Sequence, residues 1–222
     1  MALADLGADL VISYRNSGKE AREVEERVKR LGQKVFVVRA DVSDRESVAG
    51  VVKEIRKEFA GLDILVLMAS IFKPVELEEV SDKDWDSNFS THVKGTFWPI
   101  QLGLPLMEPG AHIVAVSDRT ALGRIYPGYL PYVVSKSAVA AMTRALAVEL
   151  GPKGIFINSI APGPVLKPDD ISQEDWLEIR SGSMIKHPIT DEEAVQEFVD
   201  TVIRLCFVRS SGGVYPLDLG HI

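Results

Sequence analysis

"HIVAVSDRTALGRIYPGYLPYVVSKSAVAAMTRALAVELGPKGIFINSI" spans residues 112–160. It opens with a short β-branched run, "HIVAVS" at 112–117, and closes with another, "IFINSI" at 155–160. Between them, residues 127–150 carry apolar side chains at helical spacing. A strand, a long helix and a second strand make a crossover unit, which joins parallel strands rather than a hairpin. The same rhythm runs outward in both directions. "LVISY" at 10–14, "VFVVRA" at 35–40, "LDILVLMA" at 62–69 and "GVYPLD" at 213–218 read as strands, and 17–32, 44–60, 81–105 and 191–206 as helices. No Asn-Gly or Asp-Gly pair marks a tight hairpin. Continuous apolar strands suit a sheet covered on both faces. The pattern predicts an α/β fold: a doubly wound parallel sheet in three layers, α/β/α.

The chain has 222 residues, 46% hydrophobic and 26% charged, which describes one globular domain over 1–222. A formal net charge of -7, with no basic stripe to offset it, argues against nucleic acid as a partner. The single cysteine, Cys206, excludes an internal disulfide and points to a reducing compartment, the cytoplasm. No apolar run approaches the roughly 20 residues that span a bilayer, and "MALADLGADL" has acidic residues where a signal peptide needs basic ones. No membrane association is expected.

Tyr132 and Lys136 stand four residues apart, on one face of the helix near its start. A phenol with an ordinary pKa of about 10 is a poor acid or base at neutrality, and an adjacent ammonium favours its ionised form. Side by side the two residues could serve one site. Read alone, such a pair is more often a packed Tyr beside a Lys whose charge reaches water.

Reading outward from "YVVSK", the chain from about residue 8 to 220 resembles the short-chain dehydrogenase/reductase family, whose fold is Rossmann-like. "ADVSD" at 40–44 resembles the family's segment bordering the adenine, which implies that Asp41 and Val42 lie there. "LDILVLMAS" resembles the fourth strand, usually ending N-N-A-G, and places Met68, Ala69 and Ser70 beside the cofactor. "HIVAVSD" resembles the strand that carries the catalytic Ser, and "NSIAPGPV" the turn bordering the nicotinamide, at Pro162 and Gly163. The resemblance implies an NADP(H)-dependent oxidoreductase. Tyr132 would give the proton, Lys136 would lower the Tyr pKa and hold the nicotinamide ribose, and Asp118 or Ser117 would orient the substrate. Ala69-Ser70 followed by Phe72, Asp118 and "PGPVLKP" look most like the pteridine-reductase branch. The implied substrate is a small planar carbonyl or pteridine-like C=N compound, reduced under a loop at 161–190. The resemblance also implies a homo-oligomer, a dimer or a homotetramer, through the Tyr-Lys helix, where Ala138, Val139, Met142, Leu146 and Val148 exceed one core stripe.

Several positions depart from the family. No G-x-G-x-x-G or G-x-x-x-G-x-G spacing occurs among the 17 glycines, so the turn that brings pyrophosphate to a helix N-terminus is missing. The strand before that turn would lie centrally, between the strands at 10–14 and 62–69. Either the parent protein has residues that this chain lacks, or the chain is a degenerate relative with a repaired sheet. On either reading this chain is expected to bind dinucleotide poorly. His92 aligns with an Asn that holds a proton-relay water in the family; a His titrating near neutrality could carry the relay in altered form. Asp118 precedes Tyr132 by one residue more than the family spacing, so whether Ser117 or Asp118 faces Tyr132 is open, and Asp118 could instead cap a helix or bind Arg119 and Arg124. After the second strand, "SYRNS" offers Arg15, Asn16 and Ser17 in place of the carboxylate that NAD-preferring members use, which favours a 2′-phosphate and hence NADP(H). Three rivals remain: a non-catalytic homologue acting as an oligomerising or binding module, a serine hydrolase without a G-x-S-x-G elbow, and a metalloenzyme whose His92, His112, His187 and His221 lack ligand spacing.

Overall fold

Along the strand His112–Val116, Ile113 and Val114 point to opposite faces, and both are fully buried. Each face therefore needs its own helical layer. Ile113 and Ile157 pack with Ile100, Met107 and Leu150 on one side, while Val114 and Ile160 pack with Val202, Leu205 and Cys206 on the other. The structure, a computed structural model, describes residues 1–123, 125–168, 171–185 and 189–221. In chain order it runs α1 (Ala2–Asp5), β1 (Leu10–Tyr14), α2 (Gly18–Arg30), β2 (Val35–Arg39), α3 (Arg45–Glu58), β3 (Ile64–Leu67), α4 (Asp82–Asn88), α5 (Gly95–Gly103) and β4 (His112–Val116). It continues α6 (Leu130–Leu150), β5 (Phe156–Pro162), α7 (Gln173–Ser181), α8 (Asp191–Leu205) and β6 (Val214–Leu217). Among the described residues no helix is long and apolar enough to cross a membrane.

All paired strands are parallel, and the predicted strands fall within two residues of those observed. The sheet is divided, however. β1 pairs with β2 alone, and β3, β4, β5 and β6 form a separate run in that order. Leu10 of β1 and Val66 of β3 line one cavity together with Met1 and with Ala2 and Leu3 of α1. Among the described residues, the edges of β1 and β3 away from their partners carry no ladder bonds, at the central position expected for an additional strand.

The helices differ from expectation in three places. The single helix predicted over 81–105 is interrupted by a π-helical stretch, Phe89–Lys94, and holds Pro99, which cannot donate to the helical ladder. The helix predicted from 127 begins at Leu130, with Pro131 in its first turn, where a missing N–H is harmless. The stretch 161–190, expected to be irregular, contains α7. Its start was legible in "SQED": the Ser172 hydroxyl accepts the Asp175 N–H at 3.1 Å and donates to the Asp175 carboxylate at 2.7 Å.

On α6, Val139 is buried and Leu146 packs against the core, so the outward apolar surplus is smaller than the sequence suggests. The exposed stripe consists of Val134, Ala141, Ala145 and Val148 instead. Ile157, fully buried in the central strand β5, tests the core: Ile157→Ala should lower unfolding free energy by about 2–5 kcal/mol in urea titration.

Candidate active site

The carboxyl ends of β3, β4 and β5 and the first turns of α6 meet at one cavity of about 820 Å³. Met68, Ser70, Ser117, Asp118, Tyr132, Lys136, Pro162 and Gly163 line it, as expected of a shared site. The Tyr132 hydroxyl donates to Asp118 Oδ2 at 2.8 Å. Asp118 Oδ1 accepts the Thr120 N–H at 2.8 Å, so the same carboxylate caps the short turn Arg119–Ala121. Ser117 instead donates to the Ile160 carbonyl at 2.9 Å and is buried. The geometry thus turns Asp118 toward Tyr132 and Ser117 into the sheet. Asp118 makes no ion pair with Arg119 among the described residues, and Arg124 lies outside them.

The expected activation of Tyr132 by Lys136 is reversed here. Burial first, then the charge of Asp118 and its hydrogen bond, push the Tyr132 phenol far above its ordinary value. Lys136 Nζ turns to the Val116 carbonyl at 3.0 Å and lies 5.8 Å from the centroid of the Tyr132 ring. Burial pushes its ammonium down to about 8, opposed by Asp118. Only 2% of Lys136 is exposed, yet among the described residues one of its three ammonium donors has a protein acceptor. The others are available to ligand hydroxyls.

The π-helical turn carries His92 inward against α6. The Ile71 N–H donates to His92 Nε2 at 3.1 Å, which makes that nitrogen the acceptor, also for the Ser70 hydroxyl at 3.1 Å. The proton therefore sits on Nδ1, which donates to Ser135 Oγ at 2.8 Å, and Ser135 donates on to the Tyr132 carbonyl at 2.8 Å. Titration near neutrality does not occur: burial, then the Lys136 charge, push His92 down to about 3. The unfolded chain takes this proton near pH 6.5 while the folded one refuses it, so stability is lost as pH falls from about 6.5 toward 3. Chemical denaturation should show a slope of order 1 kcal/mol per pH unit in this window. His92→Asn should flatten it.

The residues expected on the adenine side gather at the ends of β1 and β2. Arg15 Nε pairs with Asp41 at 3.0 Å, an association the sequence reading did not foresee. Ser43 first, and Arg15 less, hold the Asp41 carboxyl below the usual carboxylate range. Arg39, also missed, donates from Nε to the Arg15 carbonyl at 3.1 Å and puts a second cation at this corner. Asn16 and Ser17 are exposed at the start of α2. Val42 packs so closely on α5 that a Cβ on Gly95 would lie 2.8 Å from it. Ala69 is exposed but is not among the cavity-lining residues. Gly163 sits where a Cβ would come within 2.6 Å of the Asp218 carbonyl, which leaves room only for glycine.

An aromatic wall completes the cavity. Phe72 stacks on Tyr129 at 4.4 Å and meets Tyr132 edge-on at 4.8 Å, and Tyr126 meets Tyr129 edge-on at 5.1 Å. The signal was present in "YPGYLPY", with tyrosines at every third position. Arg119, Trp176 and Ile179 add to the lining. Among the described residues no His, Cys, Asp or Glu cluster could hold a metal ion. His187 lies outside them.

The family profile described as Enoyl-(Acyl carrier protein) reductase matches residues 1–213. The 3-oxoacyl-[acyl-carrier-protein] reductase FabG of Staphylococcus aureus is 34% identical over 166 residues, 73% of this chain and 67% of that protein. Hydroxynaphthalene reductase arp2 of Aspergillus fumigatus is 30% identical over 222 residues, 100% of this chain and 77% of that one. Among solved structures, a short chain dehydrogenase from Burkholderia cenocepacia J2315 in complex with NADP superposes with a TM-score of 0.86 at 27% identity, covering 99% of this chain and 90% of that one.

Proposed function

The chain belongs to the short-chain dehydrogenase/reductase family, and we propose that it uses NADP(H) to reduce a small planar carbonyl or pteridine-like C=N compound, with Tyr132 as proton donor. One observation carries the reading: the Tyr132 hydroxyl, Asp118 and Lys136 converge in a single aromatic-walled cavity. When bound, the nicotinamide supplies the hydride. Tyr132 donates its phenolic proton to the substrate's oxygen or nitrogen, Asp118 orients the polar group being reduced, and Lys136 binds ribose hydroxyls with its free donors. Phe72, Tyr126 and Tyr129 hold a flat ring in place. The substrate loop of this single domain lies within 161–190, whose described residues bring Trp176 and Ile179 to the cavity wall.

The chain's own residues fit the two ends of the dinucleotide. Lys136, Pro162 and Gly163 suit the nicotinamide ribose, and Arg15 with Arg39 offers guanidinium donors to a 2′-phosphate. The described residues hold no glycine-rich turn for the pyrophosphate. NADPH should nonetheless bind more tightly than NADH in fluorescence titration, and Arg15→Asp should abolish or reverse that order. Equal affinities in the unsubstituted chain would refute the assignment. Affinity for this anionic cofactor should also fall as pH rises through about 8, where Lys136 loses its charge, and Lys136→Met should remove that dependence.

The reductase reading is tested by NADPH oxidation against dihydropterin, acetoacetyl-thioester and planar diketone panels. The unpaired edges of β1 and β3 favour one competing reading, a catalytically impaired homologue that binds or oligomerises. Absence of turnover across all three panels would support it. The exposed stripe on α6 supports a homo-oligomer, dimer or tetramer, which light scattering would measure, with Val148→Glu expected to weaken assembly. The single buried cysteine supports a cytoplasmic location.

A further inference from the structure

We propose that Arg119 makes the cavity selective for ring compounds that carry an anionic oxygen, a carboxylate or an acidic ring hydroxyl, beside the group to be reduced. The inference deepens the reductase reading and rests on it. Among the described residues, the cationic side chains that line the cavity are Lys136 and Arg119. Lys136 is directed at the Val116 carbonyl, on the side proposed for the ribose. Arg119 follows Asp118 directly and starts the short turn Arg119–Ala121. Its guanidinium carbon lies 5.7 Å from the centroid of the Tyr126 ring, whose side chain it also meets by a hydrogen bond, and its Nη1 is buried with no hydrogen-bond partner among the described residues.

The neighbouring anion does not satisfy this group. Both Asp118 oxygens are engaged, one by the Thr120 N–H and one by the Tyr132 hydroxyl. Other arginines near the fold's ligand-facing edge are differently placed: Arg15 pairs with Asp41, and Arg180 with Asp191 and the carbonyls of Pro164 and Ile189. A desolvated guanidinium nitrogen without an acceptor is unfavourable, and an oxyanion brought by a ligand supplies both the missing acceptor and the missing charge. The planar fork of an arginine suits such oxygens better than a lysine would. The arrangement also sets the ligand's geometry. A ring lying along Tyr126 and Tyr129 can present its reducible group to Tyr132 and an acidic substituent to Arg119, because Asp118, which holds Tyr132, and Arg119, which lies by Tyr126, are consecutive.

The decisive measurement is equilibrium binding of unreactive probes, followed by quenching of tryptophan fluorescence. The unsubstituted chain should bind naphthoate about tenfold to a hundredfold more tightly than naphthalene carboxamide, the ratio expected for one charge-assisted hydrogen bond. Arg119→Ala should erase the ratio by weakening naphthoate alone, and Arg119→Lys should restore part of it. Nitrophenolate and its methyl ether form a second pair, which separates ring hydroxyls from carboxylates as the preferred anion. Thermal melts establish that each variant is folded, with Arg119→Gln replacing Ala should that variant unfold. No discrimination in the unsubstituted chain, or discrimination that survives in Arg119→Ala and Arg119→Gln, would overturn the proposal. Turnover separates it from the reading beneath it. Arg119-dependent naphthoate binding without NADPH oxidation on any panel leaves the anion site standing and removes the reductase. NADPH oxidation with kcat/KM indifferent to a carboxylate on the substrate does the reverse.

Discussion

Tyr132→Phe should reduce NADPH-dependent turnover at least about a hundredfold, the loss typical of a missing general acid, while leaving NADPH affinity nearly unchanged. The substitution removes one oxygen from a ring already buried among Phe72, Tyr129 and His92, so the aromatic packing survives. What disappears is the donor to Asp118, 2.8 Å away. A residue whose part was merely to fill space would give up no rate. Lys136→Ala is expected to behave differently, since its ammonium combines a hydrogen bond to Val116 with the donors proposed to hold the ribose: both affinity and turnover should fall. The pair of variants, measured by stopped-turnover kinetics and by cofactor titration, separates proton donation from cofactor holding. Full activity in Tyr132→Phe would end this mechanism.

The parts of the fold that were legible in the sequence are those whose physics is local. β4, α6 and β5 stood out because β-branched runs alternate with a long helix-period segment, and burial on both faces rewards that pattern at each position. Tyr132 and Lys136 were legible for the same reason, since a spacing of four in a helix fixes their relative placement before any tertiary contact forms. What could not be read was electrostatic and steric context. Lys136 near a phenol suggested a lowered pKa, but the outcome depends on a carboxylate reached through a turn 14 residues away and on how much water remains. His92 carries the same lesson: an imidazole on a helix has an ordinary titration until a π-helical turn inserts it between Ser70, Ile71 and Ser135. The Arg15–Asp41 pair joins two strand ends whose separation in sequence hides their closeness. α7 was missed because its apolar content is low, although its capping serine was visible.

The reversed environment of Tyr132 raises a problem that Asp118 must resolve. A phenol that gives up its proton beside a carboxylate leaves two anions in contact, and in a buried site that repulsion is large. On the proposed mechanism the substrate's arrival has to change this geometry, either by drawing the hydroxyl away from Asp118 or by giving Asp118 a partner of its own. A C=N substrate with ring N–H groups offers that partner, because its donors can take over the carboxylate oxygens. A simple ketone offers acceptors alone and leaves the repulsion in place. Asp118→Ser should therefore divide the substrate classes. Removing the anion favours ionised Tyr132, so the tyrosinate absorbance of Tyr132, isolated by subtracting the Asp118→Ser/Tyr132→Phe double variant, should appear at lower pH than in the parent chain. With ketones the rate should hold or rise, since the phenol becomes the stronger acid. With dihydropterins it should fall by about tenfold or more, the loss expected of a charge-assisted hydrogen bond that orients the ring. Loss on ketones together with gain on pterins would reverse the assignment of Asp118, and an unmoved tyrosinate titration would show that burial alone, without the carboxylate, holds the Tyr132 proton.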